Sequence, residues 1–105
     1  MWEDEDFKEL THEDFDYLVL SVKKCVVIFT ASWCAPCKSI KPQIPAIAYE
    51  YKVIPFWLDI EKNMDIASQF NVQAIPYIMT MKDGIVIEST TTNNIQKIAE
   101  MISSL

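Results

Sequence analysis

One run of apolar residues limits what this chain of 105 residues can fold into. Residues 25–29 are Cys-Val-Val-Ile-Phe, with no charged residue among them and with mostly β-branched or aromatic side chains. Such a run predicts a central strand that is covered on both faces. A sheet covered in this way needs helices on either side, which is the arrangement of α/β proteins.

The pattern along the rest of the chain predicts the remaining elements. Strands are expected at residues 7–10, 53–60, 77–81 and 85–88, and amphipathic helices at residues 15–22, 34–50, 63–70 and 95–102. Asp83-Gly84 is a strong signal for a two-residue hairpin turn between the last two strands. The resulting order, β-α-β-α-β-α-β-β-α, implies a mixed sheet of about five strands flanked by about four helices.

Further predictions concern the helices. Thr11 is expected to cap the first helix, with Asp14 as a weak capping-box partner, and Asn63 is expected to cap the third. Pro42 and Pro45 each remove an amide donor and crowd a preceding carbonyl. The second helix should therefore be kinked where they stand.

Composition and charge exclude several classes of protein. Half of the residues are apolar, and the length suits one domain over residues 1–105. No stretch predicts a membrane helix, and the first residues have neither a basic flank nor an apolar run, so no secretory signal is expected. The net charge is −6, residues 1–16 alone carry −7, and there is no arginine. The acidic start is expected to be a solvated edge, and nucleic acid is not expected as a partner.

The most specific feature is the segment Cys34-Ala35-Pro36-Cys37, which follows the buried strand and begins the second helix. Residues three apart share a helical face at roughly 5–6 Å between Cβ atoms, which is close enough for a disulfide. A cysteine at the start of a helix faces unpaired amides and the positive end of the helix dipole, which favour the thiolate. We therefore expect Cys34 to attack substrate disulfides and Cys37, set deeper, to resolve the mixed disulfide.

Other interpretations of the cysteines are weaker. A zinc site would need a second pair or histidines, and neither Cys25 nor His12 stands at ligand spacing, so no metal is expected. Two inert cysteines would leave the neighbouring Trp33 and Pro36 without a role. Cys25 is expected to be a small core residue, with a modifiable or dimer-forming thiol as the alternative. His12 is expected on the surface without a function.

At these residues the sequence resembles the thioredoxin family. Residues 26–38 (VVIFTASWCAPCK) look like the active-site strand and turn of that family, and Pro42 stands where its helix is kinked. Ile75-Pro76 matches the loop in which the family carries a cis-proline, and residues 82–84 match the following hairpin turn. The resemblance covers essentially the whole chain and implies the thioredoxin fold.

The resemblance also implies an activity and a surface. The activity would be protein dithiol–disulfide exchange, with Ala35 and Pro36 forming the loop between the cysteines. Trp33, Ala74, Ile75 and Pro76 would form a mostly apolar substrate-binding surface. The backbone of the residue before the cis-proline would pair with an extended substrate segment.

The partners follow from the same resemblance. Substrates would be protein disulfides, and a thioredoxin reductase that takes electrons from NADPH would recycle the pair, with no bound cofactor. A monomer in the cytoplasm, engaged in electron transport and redox homeostasis, is the expected context. A thiol oxidase or isomerase of an oxidising compartment, or a non-catalytic partner subunit, are the alternatives.

Some positions depart from the family. Ala35 replaces its usual glycine, Ile28 stands where it commonly has a buried aspartate, and Trp57 corresponds to the accompanying lysine. Losing both charges together is coherent, because losing one would bury an unpaired charge. We therefore predict that Cys37 has no carboxylate base nearby and that resolution is slow and pH-sensitive. Tyr77 and the segment Thr91-Thr92-Asn93 predict a more polar substrate groove than usual.

Overall fold

The strands form one mixed sheet. The computed structural model describes residues 7–105, so the acidic residues Glu3, Asp4, Glu5 and Asp6 lie outside the described part of the chain. The strands are β1 (Lys8–Leu10), β2 (Lys24–Thr30), β3 (Ile54–Asp59), β4 (Tyr77–Lys82) and β5 (Ile85–Thr91). Their spatial order is β1-β3-β2-β4-β5. The strands β1, β3 and β2 are parallel to one another. β4 pairs antiparallel with β2, and β5 pairs antiparallel with β4.

The helices follow the predicted order. They are α1 (Phe15–Leu20), α2 (Ala35–Ile40), α3 (Ile44–Glu50), α4 (Met64–Gln69) and α5 (Ile95–Ser103). A 3-10 turn, Lys41–Gln43, separates α2 from α3 and contains Pro42, while Pro45 is the second residue of α3. In the first turn of a helix the missing amide of proline costs no hydrogen bond. The predicted kink is confirmed, and α2 and α3 together are the single bent helix expected from the sequence.

The central strand is covered on both faces, as predicted. Val26 and Ile28 of β2 belong to a core cluster with residues of α3 and α5. Val27 and Phe29, which alternate with them, belong to a second cluster with residues of α1 and α4. All four side chains are at most 1% exposed. The continuous apolar run therefore serves two cores at once.

The hairpin between β4 and β5 turns at Asp83-Gly84. Both residues have positive φ, 54° and 79°, and the flanking residues Lys82 and Ile85 are paired in register. Two positive φ angles are what a tight hairpin turn of this kind requires, and glycine adopts them without steric cost. A Cβ at Gly84 would also meet the side chain of Leu20. The position of the single glycine thus matches the prediction.

Two predicted caps are corrected. The first helix begins at Phe15, with Asp14 rather than Thr11 at the N-cap position. The Asp14 carboxylate accepts the Thr11 backbone N–H at 2.8 Å, so the two residues close a turn that precedes the helix. Asn63 is the N-cap residue of α4 by position, but its side chain makes no capping hydrogen bond. Its Oδ1 instead accepts the His12 backbone N–H at 2.8 Å.

Within residues 7–105, none of the helices has the length and apolarity needed to cross a bilayer.

Candidate active site

The two cysteines of the motif form a disulfide between the central strand and the helix that follows it. Cys34 and Cys37 are bonded, with their Cα atoms 5.3 Å apart. Cys34 is the N-cap residue of α2 and has an extended backbone, which turns the chain from the end of β2 into the helix. Pro36 is the second residue of α2, where its fixed φ restricts the loop between the sulfurs. The disulfide expected from the spacing is confirmed.

The start of α2 surrounds the Cys34 sulfur with positive charge. The backbone N–H of Cys37 donates a hydrogen bond to Sγ of Cys34 at 3.2 Å. Free amides and the helix dipole at such an end stabilise a thiolate relative to a thiol. Cys34 is 4% exposed and Cys37 is 2% exposed. Both cysteines are therefore buried in the oxidised protein.

The loop before β4 lies at the same end of the sheet. β4 runs antiparallel to β2, and Phe29 near the end of β2 pairs with Tyr77 at the start of β4. Pro76 directly precedes Tyr77, and the Ile75–Pro76 peptide bond is cis. The proline loop and the cysteine loop are thus neighbours because the strands that carry them are paired. The cis bond implied by the family resemblance is confirmed.

The side chains expected to form the substrate surface differ in exposure. Trp33 is 64% exposed, which is unusual for a large aromatic side chain and leaves it available for contact. Ala74 is exposed, Ile75 is half-buried and Pro76 is buried. The surface would therefore consist of the exposed Trp33 ring and a chain segment that becomes progressively buried from Ala74 to Pro76.

Two threonines of the β5 end hold that segment. Thr91 donates its hydroxyl to the carbonyl oxygen of Ala74 at 3.5 Å, and the backbone N–H of Thr92 donates to the carbonyl oxygen of Pro76 at 3.1 Å. The sequence indicated only a more polar groove at these positions. The structure shows that their polar groups bind the backbone of the proline loop, a contact between segments that no local pattern reveals.

The region beneath the disulfide is apolar where the family commonly carries charge. Ile28 is 1% exposed and pairs in register with Trp57 on β3. The indole N–H of Trp57 donates to the carbonyl oxygen of Phe7 at 3.0 Å, so its one polar atom is satisfied. Aliphatic and aromatic side chains have therefore replaced both members of an ion pair across two neighbouring strands.

A cation lies against the tryptophan from outside. Nζ of Lys41 is 3.3 Å from the centroid of the Trp57 ring, a favourable cation–π geometry. Burial lowers the pKa of Lys41, and the negative charge of Glu9 opposes that effect to a smaller extent. No local sequence pattern indicates this pair, because Lys41 and Trp57 belong to different elements.

A carboxylate lines the same cavity as Cys37, which the prediction of no nearby carboxylate base did not anticipate. Asp59, at the end of β3, lines a cavity of about 280 Å³ that Cys37 also lines. Asp59 is only 8% exposed and pairs in register with Thr30, the last residue of β2. The prediction considered only the strand position beneath the cysteines. It missed a carboxylate supplied by the end of the adjacent strand.

Cys25 and His12 lie where the sequence predicts, in the core and on the surface. Cys25 is a free cysteine, 1% exposed, and burial raises the pKa of its thiol to about 12. It is thus a protonated core residue at neutral pH rather than a nucleophile. His12 lies on the surface, with Nδ1 3.4 Å from a carboxylate oxygen of Asp65. Among residues 7–105, no three His, Cys, Asp or Glu side chains converge as metal ligands would.

Comparison with known proteins identifies the family. The family model described as Thioredoxin matches residues 6–104. Thioredoxin-T of Drosophila melanogaster is 36% identical over 94 residues, which cover 86% of this chain and 60% of that protein. Thioredoxin H2 of Arabidopsis thaliana is 36% identical over 92 residues, which cover 87% of this chain and 69% of that protein.

The fold agrees with solved structures of the same family. The crystal structure of mitochondrial thioredoxin 3 from Saccharomyces cerevisiae, in its oxidized form, superposes with a TM-score of 0.87. The two chains are 30% identical, and the match covers 94% of this chain and 95% of that one. Together with the disulfide at the start of α2, these findings show that the chain belongs to the thioredoxin family of thiol–disulfide oxidoreductases.

Proposed function

We propose that the chain reduces disulfides in other proteins and is recycled by a thioredoxin reductase. The observation that carries this proposal is the Cys34–Cys37 disulfide at the start of α2, beside the exposed ring of Trp33. A disulfide that opens and closes must leave one sulfur within reach of a partner. The position of Cys34 at the N-cap of α2, where its Sγ accepts the Cys37 backbone N–H, supports giving that part to Cys34.

The reaction has two exchange steps. The Cys34 thiolate attacks one sulfur of a substrate disulfide, a bond forms between them, and the other substrate sulfur leaves as a thiolate. The Cys37 thiol then loses its proton and attacks Sγ of Cys34. This closes the Cys34–Cys37 disulfide and releases the second substrate sulfur, which takes up a proton. Over both steps the protein dithiol is oxidised and the substrate disulfide is reduced.

Substrates would be held mainly by their backbone. Trp33 supplies an apolar contact, and an extended substrate segment would pair with the backbone of Ile75 as an added strand. Pro76, which has no N–H, ends the stretch that can donate hydrogen bonds. The contacts from Thr91 and Thr92 to the loop support this role, since they fix the loop in place.

The cellular setting is part of the same proposal. Electrons would come from NADPH through the reductase, so the chain itself needs no bound cofactor. We place it in the cytoplasm as a monomer that serves electron transport and redox homeostasis, without nucleic acid or membrane partners. The negative net charge of −6 and the absence of arginine support the exclusion of nucleic acid.

The reduction potential of the cysteine pair tests the direction of the reaction. The reduction potential of thioredoxins is about −270 mV, whereas that of protein disulfide isomerase is about −180 mV. We expect the pair to lie below the midpoint of about −225 mV, measured by equilibration with glutathione buffers and alkylation. A potential above that midpoint would instead favour a thiol oxidase or isomerase. A pair that can be replaced by serines without loss of function would favour a partner subunit.

A further inference from the structure

We propose that Asp59 accepts the proton of Cys37 during the second exchange step, through water in the cavity that both residues line. The inference rests on the proposed function, since it concerns how the mixed disulfide is resolved. It places the proton acceptor at the end of β3, because β2 carries no carboxylate. The position beneath the disulfide is occupied by Ile28.

The second exchange step needs a proton acceptor close to Cys37. Only the thiolate of Cys37 is an effective nucleophile toward the mixed disulfide. Cys37 is 2% exposed, and a bound substrate would cover the cysteine loop further. Buffer bases therefore reach this thiol poorly, and a protein group that accepts the proton would accelerate the step.

Asp59 is placed for this role by the shape of the cavity. The volume of about 280 Å³ has room for several water molecules, each of which occupies about 30 Å³ in the liquid. Thr30 also lines it and, together with Asp59, supplies polar atoms for such water. A chain of water from the Cys37 thiol to the Asp59 carboxylate is thus sterically possible.

One oxygen of the Asp59 carboxylate is free to receive the proton. Oδ1 accepts the backbone N–H of Glu61 at 2.8 Å, which fixes the orientation of the group. Oδ2 has no hydrogen-bond partner among residues 7–105. Every fully buried side-chain oxygen of these residues has a partner, so Oδ2 is not fully buried. Oδ2 is therefore an atom that solvent can reach.

The charges around the cavity stabilise negative charge within it. Lys38, Lys41 and Lys62 also line it, and Asp59 is the one acid among the described residues that line it. Lys62 is shared with Glu9, whose carboxylate lies 3.8 Å from its Nζ. The lysines stabilise the negative charge at whichever end of the water chain it resides, first on the carboxylate and then on the Cys37 thiolate.

The step is balanced as a proton transfer followed by thiol–disulfide exchange. The proton moves from Sγ of Cys37 through water to Oδ2 of Asp59. The Cys37 thiolate forms a bond to Sγ of Cys34, and the bond between Cys34 and the substrate sulfur breaks. The substrate leaves as a thiolate and takes up a proton, while Asp59 gives up its proton to that thiolate or to water, which restores the carboxylate.

The test follows the decay of the mixed disulfide at different pH values. Reduced protein is mixed with a peptide disulfide, quenched with acid, and analysed by mass for the adduct on Cys34. In Asp59→Asn, which retains the oxygen that binds the Glu61 amide, decay at pH 7 should slow by about 100-fold or more. The deficit should shrink as the pH rises, because hydroxide then removes the thiol proton directly. Glu61→Gln removes the same charge two residues away and should decay like the wild type.

Three results would overturn the role of Asp59. They are decay of Asp59→Asn at the wild-type rate, decay slowed equally at every pH, and equal slowing in Glu61→Gln. If Asp59→Asn does not fold, the wild-type profile decides: a plateau near neutral pH supports an internal base, and a rate that rises tenfold per pH unit through neutrality contradicts it. Adduct formation is recorded in the same experiment. Wild-type protein that neither forms an adduct nor releases reduced peptide would overturn the proposed function itself.

Discussion

Replacing Cys37 with serine is expected to leave the protein covalently attached to its substrate. Cys34 can still attack, but the serine hydroxyl cannot expel the substrate sulfur. Release then depends on thiols from solution, whereas a well-oriented internal group acts at an effective concentration of about 10⁵–10⁸ M. We expect turnover to fall by at least about a hundredfold, and the adduct to appear in non-reducing gels and intact mass spectra.

Two matched variants identify the attacking sulfur. Cys34→Ser should form no adduct with the same substrate, and Cys25→Ala should behave as the wild type, because Cys25 is buried in the core and protonated. An adduct that forms through Cys37 in Cys34→Ser would reverse the roles assigned to the two cysteines. An adduct on Cys25 would contradict its assignment to the core.

Restoring the aspartate of the family at position 28 is expected to destabilise the protein strongly. Ile28 is 1% exposed in a cluster of aliphatic side chains, and its neighbour across the strands is Trp57. An unpaired charge buried in this way costs about 3–5 kcal/mol. Urea unfolding of Ile28→Asp at pH 7 should show a loss of this size, whereas Ile28→Val should lose only about 0.5–1.5 kcal/mol.

The pH dependence separates buried charge from poor packing. Burial raises the pKa of a carboxyl group above its unfolded value of about 3.9. The loss of unfolding free energy in Ile28→Asp should therefore shrink as the pH falls from this raised pKa toward the unfolded value. Adding Trp57→Lys should recover part of the loss by pairing the charge. An Ile28→Asp protein as stable as the wild type would show that the region beneath the disulfide is hydrated rather than apolar.

The order of elements was predictable because each depends on a local pattern. The apolar run in β2, the prolines between α2 and α3, and Asp83-Gly84 act over a few residues, and their structures match the prediction. The cap expected from the Asn63 side chain failed for the opposite reason. The Asn63 side chain accepts the backbone N–H of His12, 51 residues away, and that contact replaces the local cap.

The site was predictable in its chemistry and less so in its surroundings. The spacing of Cys34 and Cys37 indicated a disulfide, because one helical turn brings their sulfurs together. The carboxylate of Asp59 was missed, because strand pairing rather than sequence distance brings it to the cavity behind Cys37. The placement of Lys41 on Trp57 likewise depends on how the bent helix crosses the sheet.

The central claim is that the cysteine pair transfers electrons from a reductase to protein disulfides. The direct measurement is NADPH oxidation in the presence of a thioredoxin reductase and a protein disulfide, with thiol release recorded in parallel. With the wild type, we expect one NADPH to be oxidised for each substrate disulfide reduced. With Cys34→Ser, we expect no activity above the protein-free background. Equal activity of Cys34→Ser and wild type, or a wild type that stays at background with its pair fully reduced at the start, would contradict the central claim.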